Sequence, residues 1–378
     1  MSSEVRVALT VEAAWHKVPG GTGRVTVDLA AALQTREDTT VFGVSAWHRH
    51  GPAQDWALSV PVQRHLLPRV VLYEAWSRWD HPRLRGLGDC DLAHSTTLIV
   101  PPTGDVPLVV SVHDLAFRRH PDRFPPRARR LYNRSWRRVL ERADAVVSPS
   151  AATSADLRAA GLDIDRLHEV PLGYDPIDAS EADVSAVRAK YGITERFVLA
   201  AGTLEPRKNL PALVEAMTGG GAGGAPPLTD EAQLVIVGPM GWGEGLSGQL
   251  GDLDAAQRER VILSGAVSNA ELAALYRGAS VFCYPSLFEG FGLPVLEAMA
   301  HGTPVVTSKN TSTEEVAGGY ALTIDPTVTS EITAAIGQLL GDAALADELG
   351  AAGVNRASAF SWANVASATR AVYESVLA

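Results

Sequence analysis

The chain has 378 residues, 46% hydrophobic and 20% charged, the composition of a globular protein with room for two cores. Its 33 basic and 43 acidic residues leave a formal charge of -10, which argues against the dominant basic surface that broad nucleic-acid binding requires. Two cysteines, Cys90 and Cys283, with no CxxC pair, argue against a disulfide framework or a structural zinc site.

The start, Met1-Ser2-Ser3-Glu4, lacks a positive segment followed by a long apolar core, so no signal peptide is expected. No apolar run approaches the roughly 20 residues that span a bilayer. These features predict a cytoplasmic location.

Val5–Thr10 reads as the first buried strand and Gly23–Gln34 as the first helix. Thr40–Val44, Leu92–Ser95 and Leu108–Val112 read as further strands, Pro125–Ala143 as a helix, and Ala145–Ser148 as a strand. A proline and a glycine in Val170-Pro-Leu-Gly-Tyr-Asp175 then break the pattern. Phe197–Ala201, Leu234–Val237, Val261–Leu263, Val281–Tyr284 and Pro304–Thr307 form a second strand series, with a helix over Asn269–Tyr276.

These runs are rich in Val and Ile and lack polar alternation, as strands do when a parallel sheet is covered on both faces. Repeated strand-then-helix order predicts an α/β protein of two doubly wound parallel sheets. The expected domains are 1–172 and 173–360, with a last helix over 361–378. The tract Gly219-Gly-Gly-Ala-Gly-Gly-Ala-Pro-Pro227 reads as a surface loop inside the second domain.

The segment Glu289-Gly-Phe-Gly-Leu-Pro-Val-Leu-Glu297-Ala-Met-Ala-His-Gly302 carries the chemistry. Gly290 and Gly292 allow a tight turn and close backbone approach. Pro294 suits the first position of a helix starting near Leu293, and Gly302 suits its end. The free amides of such a helix start bind phosphate. Glu297 would fall in the first turn, as an acceptor for a ribose diol. Glu289 would precede the turn and reach a sugar hydroxyl. The plainer alternative makes Glu297 a support for the helix start and Glu289 a solvated loop residue.

This segment resembles the paired-glutamate motif of the retaining GT-B glycosyltransferases of family 4. Ala201-Gly-Thr-Leu-Glu-Pro-Arg-Lys-Asn-Leu210 resembles that family's second motif. Gly20-Gly-Thr-Gly-Arg24 and Ser111-Val-His-Asp-Leu115 match it as well, in the family's order. The resemblance implies two Rossmann-like domains facing across a cleft, with the C-terminal helix crossing back to the first.

It further implies that Glu297 binds the donor ribose and Glu289 a hydroxyl of the transferred sugar. The backbone of Phe291, Gly292 and Leu293 would lie against sugar and phosphate, with Thr203 also on the donor. Arg207 and Lys208 would neutralise the diphosphate, and Glu205 would hold one of these cations. Two preorganised cations stabilise the charge that gathers on a departing diphosphate. Gly21 and Gly23 would let the first domain's backbone approach donor phosphate and acceptor, or form a plain strand-to-helix turn. His113 would lie near the transferred sugar with Asp114 orienting its ring. Val267, within Ser264–Asn269, would hold the nucleotide base through backbone groups.

The reaction implied is same-face attack by an acceptor hydroxyl, with retention and with the departing phosphate taking the proton. No cofactor and no metal are expected. Asp89-Cys-Asp91 matches the acidic pair of metal-dependent sugar transferases, but it precedes a first-domain strand and reads as chance. GDP-mannose is the first expected donor and a UDP-linked sugar the second. The acceptor would be a hydroxyl of a glycan, glycolipid or small molecule. A GT-B sugar-nucleotide epimerase and a non-catalytic nucleotide-sugar binder are the competing readings.

Nine arginines lie between Arg118 and Arg138, with Asp122 the one acidic residue among them. A basic amphipathic helix can rest on an anionic membrane, which would make the protein peripheral. The alternative is a solvated face balanced by acidic neighbours.

Overall fold

A computed structural model of the chain describes residues 4–16, 20–121, 124–194, 196–219, 228, 232–241 and 245–378. The chain divides into two compact units. One comprises Met1–Gly173 with Ser361–Ala378, the other Tyr174–Phe360.

The first unit holds seven strands: β1 (Val5–Thr10), β2 (Thr39–Ser45), β3 (Val62–Arg64), β4 (Leu92–Ser95), β5 (Leu108–Ser111), β6 (Ala145–Ser148) and β7 (Leu167–Glu169). They run β3-β2-β1-β4-β5-β6-β7 across the sheet, and every pairing is parallel. The second unit holds β8 (Phe197–Ala201), β9 (Gln233–Val237), β10 (Val261–Gly265), β11 (Val281–Tyr284), β12 (Val305–Ser308) and β13 (Leu322–Ile324). Their order is β10-β9-β8-β11-β12-β13, again all parallel. In each unit the order reverses beside the first strand, between β1 and β4 and between β8 and β11. Doubly wound sheets take ligands at the carboxyl ends of such paired strands.

The central strands carry apolar runs because both faces are covered. All four residues of β11 are at most 2% exposed. Three strands have no counterpart in the expectation: β3, β7 and β13. Each is three residues long and forms a sheet edge. An edge strand is covered less completely, so its sequence need not be continuously apolar.

The last helix, Trp362–Leu377, belongs to the first unit. It is capped by Ser361, whose side chain accepts from the Asn364 amide. Its Tyr373 hydroxyl meets Nδ1 of His94 on β4 at 2.6 Å, and Nε2 of that ring meets Ser111 Oγ on β5 at 2.8 Å. Both rings are fully buried, so this polar chain fixes the helix on the sheet.

The arginine-rich segment forms the helix Pro126–Arg142, with Trp136 and Val139 buried. Arg134 bonds Glu74 at 2.8 Å, and Arg138 and Arg142 bond Asp80 at 2.6 and 3.0 Å. Much of the charge is therefore balanced by an earlier helix, Arg69–Trp79, and its end. Arg118, Arg129, Arg130 and Arg137 are exposed, with no ion pair among the described residues. Asp122 and Arg123 lie outside the described residues, as do residues 220–227 of the glycine tract. Among the described residues, no helix is long and apolar enough to cross a membrane. Of the acidic pair, Asp91 accepts from the Arg6 amide at 2.8 Å, near the amino end of the sheet.

Candidate active site

The residues marked in the second half of the sequence gather at the reversal point between β8 and β11. After β8 the chain turns through Gly202 at φ +132°. Its amide donates to Val237 O at 2.9 Å, and Gly238, at φ +144°, packs so closely that a Cβ there would lie 2.0 Å from Gly202 O. No side chain fits at that crossing of the loops after β8 and β9. A short turn, Pro206–Lys208, follows, and Asn209 at φ +55° redirects the chain into the helix Leu210–Thr218. The loop after β11 is joined to this turn by backbone, because Leu287 N donates to Arg207 O at 2.8 Å.

The two loops bring Arg207, Lys208 and Glu289 together. Lys208 Nζ donates to Glu289 Oε1 at 2.7 Å, and Arg207 Nη1 donates to Glu289 Oε2. Arg207 Nε also donates to Glu205 Oε2 at 2.9 Å. Tyr284, the last residue of β11, donates its hydroxyl to Glu289 Oε1 at 3.0 Å and contacts Lys208 Nζ. Ser312 Oγ holds the Glu289 carbonyl at 2.8 Å. Glu289 is thus a buried counter-ion rather than a solvated loop residue, which settles against the plainer reading of its surroundings.

Burial works to raise the Glu289 carboxyl, but the charges and hydrogen bonds of Arg207 and Lys208 outweigh it and hold the group at about 2. Burial lowers the Lys208 ammonium, aided by Arg207 and opposed by Glu289. Burial and Glu289 push the Tyr284 phenol well up, so it stays a neutral donor. The cluster carries two cations against Glu289 and the outer Glu205.

The helix Leu293–Ala300 starts beside this cluster. Gly292 precedes it at φ +108°, and a Cβ there would meet Thr313 Cγ2 at 2.7 Å. No side chain caps this end; Pro294 has no amide hydrogen, and the Val295 and Leu296 amides donate to Gly292 O at 2.9 and 3.3 Å. Two expectations shift by one position. Pro294 is the second helical residue rather than the first, because Gly292 turns the chain and Leu293 opens the helix. Glu297 is consequently the fifth helical residue, in the second turn, and its Oε2 accepts from the Tyr276 hydroxyl at 2.8 Å. Thr203 lies half-buried in the loop after β8. Val267 lies two strands away, in the turn after β10, ahead of the helix Asn269–Gly278.

In the first unit the helix begins at Gly20 rather than Gly23, so Gly21 and Gly23 are part of its first turn. Thr96 links that helix to His113, through its side chain on one side and its backbone carbonyl on the other. Thr26 Oγ1 donates to Thr96 Oγ1 at 3.1 Å, and His113 Nε2 contacts Thr96 O at 2.9 Å. The expectation that Asp114 orients the His113 ring finds no hydrogen bond between the two among the described residues. Asp114 Oδ1 instead accepts from the Ala116 amide at 2.9 Å and starts the short helix Ala116–Arg119. Burial lowers the His113 pKa, favouring the neutral ring.

The profile described as "Glycosyl transferases group 1" matches residues 183–356, and that described as "Glycosyltransferase Family 4" matches residues 19–177. The O-antigen chain mannosyltransferase B of Escherichia coli is 33% identical over 273 residues, 70% of each chain. The chain belongs to the group 1, family 4 glycosyltransferases.

A second relative of this glycosyltransferase, the MMP α-(1→4)-mannosyltransferase of Mycolicibacterium hassiacum, is 35% identical over 67% of this chain. The chain spans 60% of that relative's length. The fold matches solved structures across nearly its whole length. Anabaena HepE in complex with UDP and glucose superposes with a TM-score of 0.74 at 19% identity, covering 98% of this chain and 100% of that one. A sucrose-phosphate synthase from Thermosynechococcus elongatus gives 0.76 at 22% identity, covering 98% and 99%. At those identities the likeness shows the GT-B fold alone. The family match favours transfer over the epimerase and binding-protein readings.

Tyr284, Tyr276 and Ser312 were not marked by sequence reasoning. Tyr284 hides at the end of an apolar strand and Tyr276 inside a helix pattern. A tyrosine that ends a buried strand is the one signal that could have pointed to the first of them.

Proposed function

We propose that this glycosyltransferase moves a mannosyl residue from GDP-mannose to an acceptor hydroxyl, with retention of configuration and without a metal. The observation that carries the reading is the buried Lys208–Glu289 pair with half-buried Arg207, beside the Gly292 turn that opens the helix Leu293–Ala300. A departing diphosphate gathers charge as its bond to the sugar breaks. Cations already in place stabilise that charge without reorganising, and the positive end of the helix dipole acts in the same sense.

In this reading Arg207 and Lys208 neutralise the diphosphate and Glu289 sets their positions and takes a sugar hydroxyl. Glu297 binds the ribose diol. Phe291, Gly292, Leu293 and Thr203 line sugar and phosphate, and Val267 lies at the base. Gly21, Gly23 and His113 serve the same reaction from the first unit. The acceptor oxygen bonds to the anomeric carbon from the face that the phosphate leaves, and its proton passes to the phosphate. The acceptor is a hydroxyl of a glycan, glycolipid or small molecule.

Mannose as the sugar rests on the names of the two relatives above. A UDP-linked glucose is the second reading, favoured by the UDP and glucose in the Anabaena structure. A cytoplasmic location, peripheral at an anionic membrane, is part of the same proposal.

The test is a thermal-shift panel of GDP-, UDP- and ADP-sugars without and with a divalent cation, repeated with Glu297→Ala. Stabilisation by GDP-mannose that the variant loses supports the reading. Stabilisation by UDP-glucose alone would replace the donor. A shift that appears only with a divalent cation would overturn the metal-free part.

A further inference from the structure

We propose that Tyr276 and His301 are positioning residues that hold Glu297 ready for the donor and anchor it where the chain enters the second unit. The proposal rests on the reading of Glu297 as the ribose acceptor.

The Tyr276 hydroxyl donates to Glu297 Oε2 at 2.8 Å. Its ring is fully buried and cannot swing away. It stacks on His301 at 5.8 Å with planes 8° apart, and meets Phe282 of β11 edge-on at 5.4 Å. Thr303 Oγ1 fixes the backbone of the same residue by bonding Tyr276 O at 2.6 Å. His301 continues the chain, with Nε2 2.9 Å from the Tyr174 hydroxyl. Tyr174 is the first residue of the second unit and Phe360 the last, and Tyr174 N donates to Phe360 O at 2.8 Å. Phe360 in turn packs edge-on against Phe291, at 6.0 Å, in the turn just before the helix that carries Glu297.

Glu297 and the turn it follows are therefore both tied to the two ends of this unit, one through three polar side chains and one through an aromatic pair. A glutamate has several rotatable bonds, and ordering it on binding costs conformational entropy. A phenol fixed by stacking orders it beforehand. A carboxylate has roughly four acceptor sites, so it can hold the phenol and a diol together.

The test measures nucleotide affinity by calorimetry, using GDP and UDP against their 2′-deoxy counterparts. The ribo-to-deoxy affinity ratio reads the diol contact alone, and a general loosening of the fold would not change it selectively. Tyr276→Phe should lower the ratio about three- to tenfold, the net worth of one ordinary hydrogen bond. Tyr174→Phe should lower it by less, and Tyr276→Phe should add nothing in a Glu297→Ala background. A full ratio in Tyr276→Phe, with the ratio lost in Glu297→Ala, would overturn the positioning role while leaving the ribose reading intact. A ratio unchanged in Glu297→Ala would overturn the ribose reading itself, and this proposal with it. If Tyr276→Phe does not fold, Tyr174→Phe, remote from the nucleotide, decides: an unchanged ratio there overturns the proposal.

Discussion

Lys208 and Glu289, 81 residues apart in the sequence, form an ion pair of 2.7 Å in which each side chain is 8% exposed. A buried pair rarely adds net stability, because desolvation offsets much of the attraction. Its presence at the reversal point of the second sheet, beside Arg207, is better explained by a need for fixed positive charge.

Lys208→Met should reduce turnover about 10²- to 10³-fold, the typical cost of one preorganised donor to developing charge. Glu289→Ala should destabilise the protein by about 3–5 kcal/mol, because it strands a buried cation. The double variant Lys208→Met/Glu289→Leu should regain much of that stability and none of the activity. Denaturant titration with a product assay checks both halves. Additive losses of stability would show that the two side chains act independently.

The pair and the buried histidine chain both lose stability in acid, over different pH windows. Glu289 is held at about 2, so its stabilising contribution is full above the ordinary carboxylate range and is lost progressively as pH falls from there through about 2. Glu289 should therefore contribute no catalytic limb between pH 5 and 8. Burial, and then His113, lower His94 to about 3. Above about 6.5 both folded and unfolded states hold this ring neutral. Below that pH the unfolded chain takes up a proton that the folded one refuses, so stability falls by about 1.4 kcal/mol per pH unit until about 3. Burial, followed by neighbouring cations, likewise lowers His16 and His65 to about 4, so they add to the slope. Unfolding free energies measured between pH 7 and 4 should decline more gently in His94→Asn, by about one proton's worth. Equal slopes would show that His94 is protonated in the fold.

Gly292→Ala should cost about 1–3 kcal/mol and most of the donor affinity. The residue stands at φ +108°, and the new Cβ would press on Thr313 at the turn before the helix Leu293–Ala300. Gly248 offers the contrast. It lies exposed in the helix Gly245–Gly251 with nothing within 4 Å of a Cβ, so Gly248→Ala should stabilise by about 0.5–1 kcal/mol. Melting curves and nucleotide titrations distinguish the two sites.

Vesicle flotation addresses the membrane proposal. Binding to anionic vesicles should weaken when Arg129, Arg130 and Arg137 become glutamate, since these exposed arginines have no ion pair among the described residues. Arg134 and Arg138 are committed to Glu74 and Asp80, and their replacement should affect stability first. No flotation of the unaltered protein would end the proposal.

Much of this protein was legible as sequence because its information is local. β1, β4, β6, β8 and β11 begin and end where the sequence reading put them, since a strand covered on both faces is mostly apolar along its length. The edge strands β3, β7 and β13 escaped because partial cover imposes no such rule. Glycines at forced turns and paired charges beside them, as in Glu289–Gly292 and Glu205–Lys208, stand out for the same local reason.

What the sequence by itself determined was the series of strands and helices, and hence two doubly wound sheets, together with the family to which the charged motifs belong. What only the tertiary structure decided was which side chains meet. The Tyr276–Glu297, Tyr284–Glu289 and His94–Tyr373 contacts span 21, 5 and 279 residues. So did the pairing of the arginine-rich helix with Glu74 and Asp80, and the commitment of Asp114 to a backbone amide. Propensity and periodicity act over a turn or a strand, whereas a hydrogen bond is chosen among all groups that the finished fold brings within about 3 Å.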